Sequence, residues 1–185
     1  DKAPSIEYFA DAIAAVVAEQ CAELGIAVPK LAFEPGRYIS GPAGITVYNV
    51  GTIKDVTVTE ANTPAVRKYV SVDGGMSDNI RPSLYDAEYH AVIAQRASNE
   101  KNISSRVVGK HCETGDIVIR DISLPADIAP GDLIAIPATG AYGRSMASNY
   151  NHVPRPPVIA VKDGKARVIL RRENEADLLA LDVEE

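Results

Sequence analysis

Four short segments of this chain hold side chains that could do chemistry. Glu34-Pro35-Gly36-Arg37 sets a carboxylate, a bare backbone and a guanidinium in a row. A carboxylate there can hydrogen-bond a protonated ring nitrogen of a bound cofactor and hold that ring positive, making it a better electron sink. Gly36 has no Cβ, so its backbone N–H can approach a phosphate closely. Arg37 offers a planar fork for phosphate or carboxylate. Arg81 and Tyr85 share a face if their stretch is helical, and the Pro82 between them suits a first helical turn. Arg81 can then grip a carboxylate through two hydrogen bonds, with the Tyr85 hydroxyl beside it. Cys112 and Glu113 place a thiol next to a carboxylate. Tyr142, in Gly140-Ala141-Tyr142-Gly143, has glycines around it that let the backbone turn tightly.

Each segment also has a plainer explanation. Glu34–Arg37 read alone is a Pro-Gly turn closed by a surface ion pair. Arg81 and Tyr85 suit an exposed arginine beside a packed tyrosine, and Tyr142 a core tyrosine at a β-to-helix turn. A lone cysteine is most often an inert buried thiol, which is the reading for Cys21 on its helix stripe. His90, His111 and His152 lack metal-ligand spacing and read as ordinary histidines.

The elements that must position these groups change character along the chain. Ser5 is a plausible N-cap, with Glu7 in the first turn. Phe9, Ile13, Val16, Val17 and Leu24 recur with helical period, and Gly25 sits where a C-terminal cap belongs. Leu31-Ala32-Phe33 predicts a short buried strand leading into Glu34. Beyond Gly44 the residues turn β-branched. Ile45–Thr59 opens a series of predicted strands that continues at Lys68–Val72, Tyr89–Ala94, Arg106–Lys110, Ile117–Ile122, Asp132–Ile136, Pro157–Lys162 and Lys165–Leu170. Asp163-Gly164 is a two-residue hairpin signal. Short helices are expected around Tyr142–Tyr150 and Glu175–Leu181. This is a mainly β (α+β) chain: residues 1–43 read as the end of an α/β unit and 44–185 as a β barrel or sandwich domain.

Composition narrows the function classes. The chain has 185 residues, 46% of them hydrophobic and 24% charged, with net charge −6. A negative chain without a basic run disfavours nucleic acid and anionic membrane surfaces. The apolar run Ala12–Ala18 is far too short to span a bilayer. Cys21 and Cys112 make no disulfide framework, and reduced thiols in a cytoplasmic protein are expected.

Taken in order, Glu34–Arg37, Val72–Tyr85, Gly109–Asp116, and Gly140–Tyr142 with Ser145–Asn151 resemble the C-terminal part of the diaminopimelate decarboxylase family. The resemblance runs from about Leu31 to about Pro157. It implies an alanine-racemase-type (β/α)8 barrel, of which residues 1–43 are the last helix and strand, followed by a β domain. It implies pyridoxal 5′-phosphate, and conversion of meso-2,6-diaminopimelate to L-lysine and carbon dioxide, the last step of lysine biosynthesis. Glu34, Pro35, Gly36, Arg37 and Tyr142 are then cofactor contacts. Arg37, Arg81, Tyr85, Glu113 and Tyr142 contact the substrate. Cys112 is the catalytic proton donor, returning a proton after carbon dioxide leaves; free thiols ionise at about pH 8.5, close to working pH.

The resemblance further implies a homodimer with active sites shared between subunits, and Cys112-Glu113 at the boundary. The distal end of diaminopimelate carries both a carboxylate and an ammonium, which calls for a cation and an anion side by side; Arg37 or Arg81 with Glu113 supplies them. An ornithine decarboxylase would need acids there and no arginine. Such a decarboxylase needs a lysine to hold its cofactor. None of the eight lysines lies in a segment resembling the family's lysine motif, so the chain is expected to be inactive alone. A same-fold decarboxylase for arginine, ornithine or a polyamine precursor, and a non-catalytic domain of this fold, are the rival readings.

Overall fold

The computed structural model describes residues 4–60 and 63–183. They form two compact units, one up to Pro35 and one from Gly36 onward.

The first unit is built on helix α1, Ile6–Leu24. The Ser5 hydroxyl accepts from the Tyr8 N–H, Glu7 occupies the first turn, and Gly25 closes the helix at φ 66°, as the sequence predicts. Phe9, Ile13, Val16 and Leu24 are exposed, whereas Cys21 is buried. Leu31-Ala32-Phe33 departs from expectation: it is exposed chain outside any ladder. A parallel strand is defined by its neighbours, and no described residue pairs with this segment.

The second unit is mainly β. One sheet has six strands: β1 Ile45–Glu60, β2 Thr63–Val72, β3 Val92–Ile93, β4 Asn102–Val108, β5 Ile117–Pro125 and β6 Leu133–Pro137, in the order β3-β6-β1-β2-β4-β5. The long β1 serves two partners. Its first part, Ile45–Asn49, runs antiparallel to β6. From Val50 on it pairs with β2, with a register break between Val50 and Ile53. That break lets a single strand bend from one partner to the other. β2 and β4 are parallel, and β4 and β5 antiparallel. All six strands feed one core of Val50, Val70, Val72, Val107, Ile119, Leu124, Ile134 and Ile136, with Ile93 packed against it, so the sheet curls around its own inner face. Each such fully buried side chain contributes about 1.5–3 kcal/mol over an exposed one.

The remaining strands, β7 Val158–Lys162 and β8 Lys165–Leu170, form a separate hairpin. Its turn is Asp163-Gly164, both at positive φ, the left-handed pair that a tight hairpin requires. Four short helices complete the unit: α2 Gly36–Ser40, α3 Arg81–Tyr85, α4 Gly143–Met146 and α5 Glu175–Leu178. The short helices expected around Tyr142–Tyr150 are α4 and a separate 3-10 turn at Tyr150–His152. The compact unit takes in Gly36–Gly44 because this segment is sewn to the end of β6: Gly140 N–H donates to Gly41 and Thr139 N–H to Gly44.

Candidate functional site

Two loop crossings position four of the candidate residues, Arg81, Tyr85, Cys112 and Glu113. After β2 the chain turns through Gly74–Asn79 into α3; after β4 it turns through Gly109–Asp116 into β5. Asp116 binds these turns together. It is 3% exposed. One carboxylate oxygen accepts the Met76 N–H at 2.7 Å and the other accepts the His111 N–H at 2.7 Å. The two turns can approach because Gly75 and Gly109 face that carboxylate; a Cβ on either would lie within 2.5 Å of an Asp116 oxygen. Lys110 N–H donating to the Gly74 carbonyl at 3.0 Å adds a direct link. The local sequence marks no role for Asp116, because its Met76 partner lies 40 residues away.

Cys112 and Glu113 ride on the outside of this knot. Both are exposed, so Cys112 is not a buried packing thiol. The Glu113 carboxylate accepts a hydrogen bond from the Tyr150 hydroxyl. That carboxylate raises the Tyr150 phenol above its ordinary ionisation range, chiefly through the hydrogen bond. The Tyr150 ring meets the His111 ring edge-on at 5.5 Å. His111 is buried, and its Nε2 lies 2.8 Å from the buried Ser77 hydroxyl. Nothing in the local sequence pairs Tyr150 with Glu113, or Ser77 with His111.

Arg81 opens α3, and its guanidinium carbon sits 5.4 Å over the Tyr85 ring. The shared face expected from their spacing is present. Its Nε donates to the Tyr89 hydroxyl at 3.1 Å, a partner the sequence did not suggest. The Ser83 hydroxyl donates to the Gly115 carbonyl at 2.6 Å, tying α3 to the loop of Cys112 and Glu113.

Arg37 and Tyr142 come together next to the end of β6. The Arg37 guanidinium carbon lies 5.2 Å over the Tyr142 ring. Tyr142 is half exposed and left-handed at φ 67°, a conformation uncommon for a residue with a Cβ. A Cβ on Gly36 would come 3.3 Å from the Tyr142 hydroxyl. A bare backbone, a phenol and a guanidinium thus converge, a donor set suited to a phosphate. Glu34 and Pro35 end the first unit as exposed chain. Among the described residues no cluster of His, Cys, Asp or Glu could hold a metal ion, and no helix is long and apolar enough to cross a membrane.

This arrangement has known counterparts. The family model for the C-terminal sheet domain of pyridoxal-dependent decarboxylases matches residues 8–140. The chain belongs to this decarboxylase family. It is 51% identical over 183 residues to the diaminopimelate decarboxylase of Mycobacterium tuberculosis, covering 99% of this chain and 40% of that protein. It is 53% identical over 167 residues to the diaminopimelate decarboxylase of Corynebacterium efficiens, covering 90% of this chain and 36% of that one. A crystal structure of diaminopimelate decarboxylase from M. jannaschii in co-complex with L-lysine superposes with a TM-score of 0.84 at 34% identity, over 100% of this chain and 40% of that one. The chain therefore spans about 40% of the length of these decarboxylases.

Proposed function

We propose that this chain is the C-terminal portion of an enzyme that decarboxylates meso-2,6-diaminopimelate to L-lysine and carbon dioxide. The observation that carries the reading is the Cys112-Glu113 loop, exposed and hydrogen-bonded to the helix that begins at Arg81. A thiol, a carboxylate and a guanidinium thus stand on linked elements, as a substrate with an ammonium and a carboxylate at its distal end requires. The chain's identity to enzymes named diaminopimelate decarboxylase supports the same substrate. An ornithine-type distal end, an ammonium alone, gives the Arg81 guanidinium no carboxylate to bind.

Pyridoxal phosphate, when bound, supplies the electron sink that accepts the electron pair left as carbon dioxide departs. Gly36, Arg37 and Tyr142 fit its phosphate by donor chemistry, and Glu34 with Pro35 belongs to the same segment. Glu113 meets the distal ammonium, Arg81 the distal carboxylate, and Tyr85 and Tyr142 flank the substrate. The Cys112 thiol donates a proton to the carbon that has lost its carboxylate. The enzyme is a cytoplasmic homodimer whose sites combine the barrel of one subunit with the Cys112 loop of the other. The cofactor-holding lysine lies in the part of the enzyme beyond these residues.

The test is carbon dioxide release from diaminopimelate by the full-length protein. Glu113→Gln removes a charge-assisted contact typically worth about 1.5–3 kcal/mol, and Arg81→Lys replaces a planar fork with a point charge. Both raise KM for diaminopimelate. Unchanged kinetics in both variants would show the distal-end assignment to be wrong.

A further inference from the structure

We propose that Tyr150 is a positioning residue for the Glu113 carboxylate, seated on the His111–Ser77 pair, and that it sets discrimination for a substrate bearing a distal ammonium. The inference rests on the reading above that Glu113 meets that ammonium.

Glu113 is exposed, and a long glutamate side chain gives up rotamer freedom when it is fixed. An untethered Glu113 would meet that cost on binding, so a group that holds it beforehand sharpens recognition. Tyr150 is built to be that group. Its hydroxyl donates to Glu113 Oε1, which leaves Oε2 for a cation. Its ring rests edge-on against His111 at 5.5 Å, and His111 is locked from below by the Ser77 hydroxyl at 2.8 Å. Ser77 is 2% exposed and His111 8%, so this support is interior structure. The backbone is held as well: Ser148 N–H donates to the Ser77 carbonyl at 2.9 Å, and the Ser148 hydroxyl accepts the Tyr150 N–H at 3.4 Å. Ring, hydroxyl and main chain are thus fixed together, and all three lead to one Glu113 oxygen.

The experiment compares Tyr150→Phe, Glu113→Gln and the double variant in the full-length, cofactor-loaded enzyme. The substrates are diaminopimelate and 2-aminopimelate, the same diacid without the distal amine. Tyr150→Phe keeps the ring on His111 and removes only the hydroxyl. It should raise KM for diaminopimelate about tenfold with kcat within about threefold, lower the preference over 2-aminopimelate equally, and add nothing to Glu113→Gln. Ser77→Ala, which frees the His111 ring and leaves the Tyr150 hydroxyl in place, should give a smaller loss in the same direction; it carries the test if Tyr150→Phe does not fold. If Glu113→Gln erases the preference while Tyr150→Phe and Ser77→Ala retain it, Tyr150 is not the positioning group. If Glu113→Gln itself leaves the preference intact, the distal-end reading fails first. Additive losses in the double variant would show Tyr150 acting independently of Glu113, and would also overturn the proposal.

Discussion

Asp116 shows how one buried carboxylate serves the proposed site without entering it. It accepts two backbone N–H groups from turns that approach each other at Gly75 and Gly109. Asn at this position keeps the shape but turns an N–H donor toward one of those N–H groups. Asp116→Asn should therefore cost about 1–3 kcal/mol in urea unfolding and lower kcat through displacement of the Cys112 loop. A variant as stable as the parent would show that the two turns hold without the carboxylate. Cys112 is exposed on that loop. Cys112→Ser keeps the size but offers a much weaker acid, so kcat should fall by about 10²–10⁴-fold with little change in KM. Retained kcat would assign the proton to another group.

Glu173, just beyond β8, reaches back to the turn that carries Tyr150. Its carboxylate accepts from the Asn149 side chain at 2.7 Å, the Arg155 backbone N–H at 2.8 Å and the Arg155 guanidinium at 2.8 Å. The Arg155 N–H first, and then the Arg155 and Asn149 side chains, pull its ionisation from 4.5 down to about 2. A carboxyl lowered on folding stabilises the fold above its unfolded value and loses that contribution as pH falls through its folded value. The stability difference between parent and Glu173→Gln should thus be full above pH 4.5, shrink below it, and be gone near pH 2; a difference unchanged across that range would remove Glu173 as the cause. What was legible in the sequence divides along the same line. The Ser5 cap, the Gly25 stop and the Asp163-Gly164 hairpin rest on local backbone chemistry and stand where expected. Arg81 with Tyr85 followed from helical spacing. Leu31–Phe33 did not become a strand, because strands depend on neighbours. The Tyr150–Glu113 and Asn149–Glu173 pairs join segments far apart in sequence, and no periodicity reveals them.

At the scale of the whole molecule, the chain covers about 40% of its relatives' length, and the proposed site needs more than these residues. Mixing full-length Cys112→Ala subunits with full-length subunits lacking the cofactor lysine should restore part of the activity, since a mixed dimer of the proposed kind would have one intact shared site. No recovery, with both parents folded, would place each site within one chain. The 185-residue chain supplied with diaminopimelate and cofactor should release no carbon dioxide above free-cofactor background; release abolished by Cys112→Ala would mean that one of its own lysines serves. The two partners of β1 bear on how such a molecule is made. Ile45–Asn49 is ready for pairing early in synthesis, yet its partner Leu133–Pro137 emerges much later. Until then the strand offers an open edge of unpaired N–H and C=O groups, the kind of edge that recruits other chains. A nascent chain stalled before Pro137 should therefore be sticky, and one stalled beyond it quiet: release from the ribosome is safe only after the sixth strand has docked.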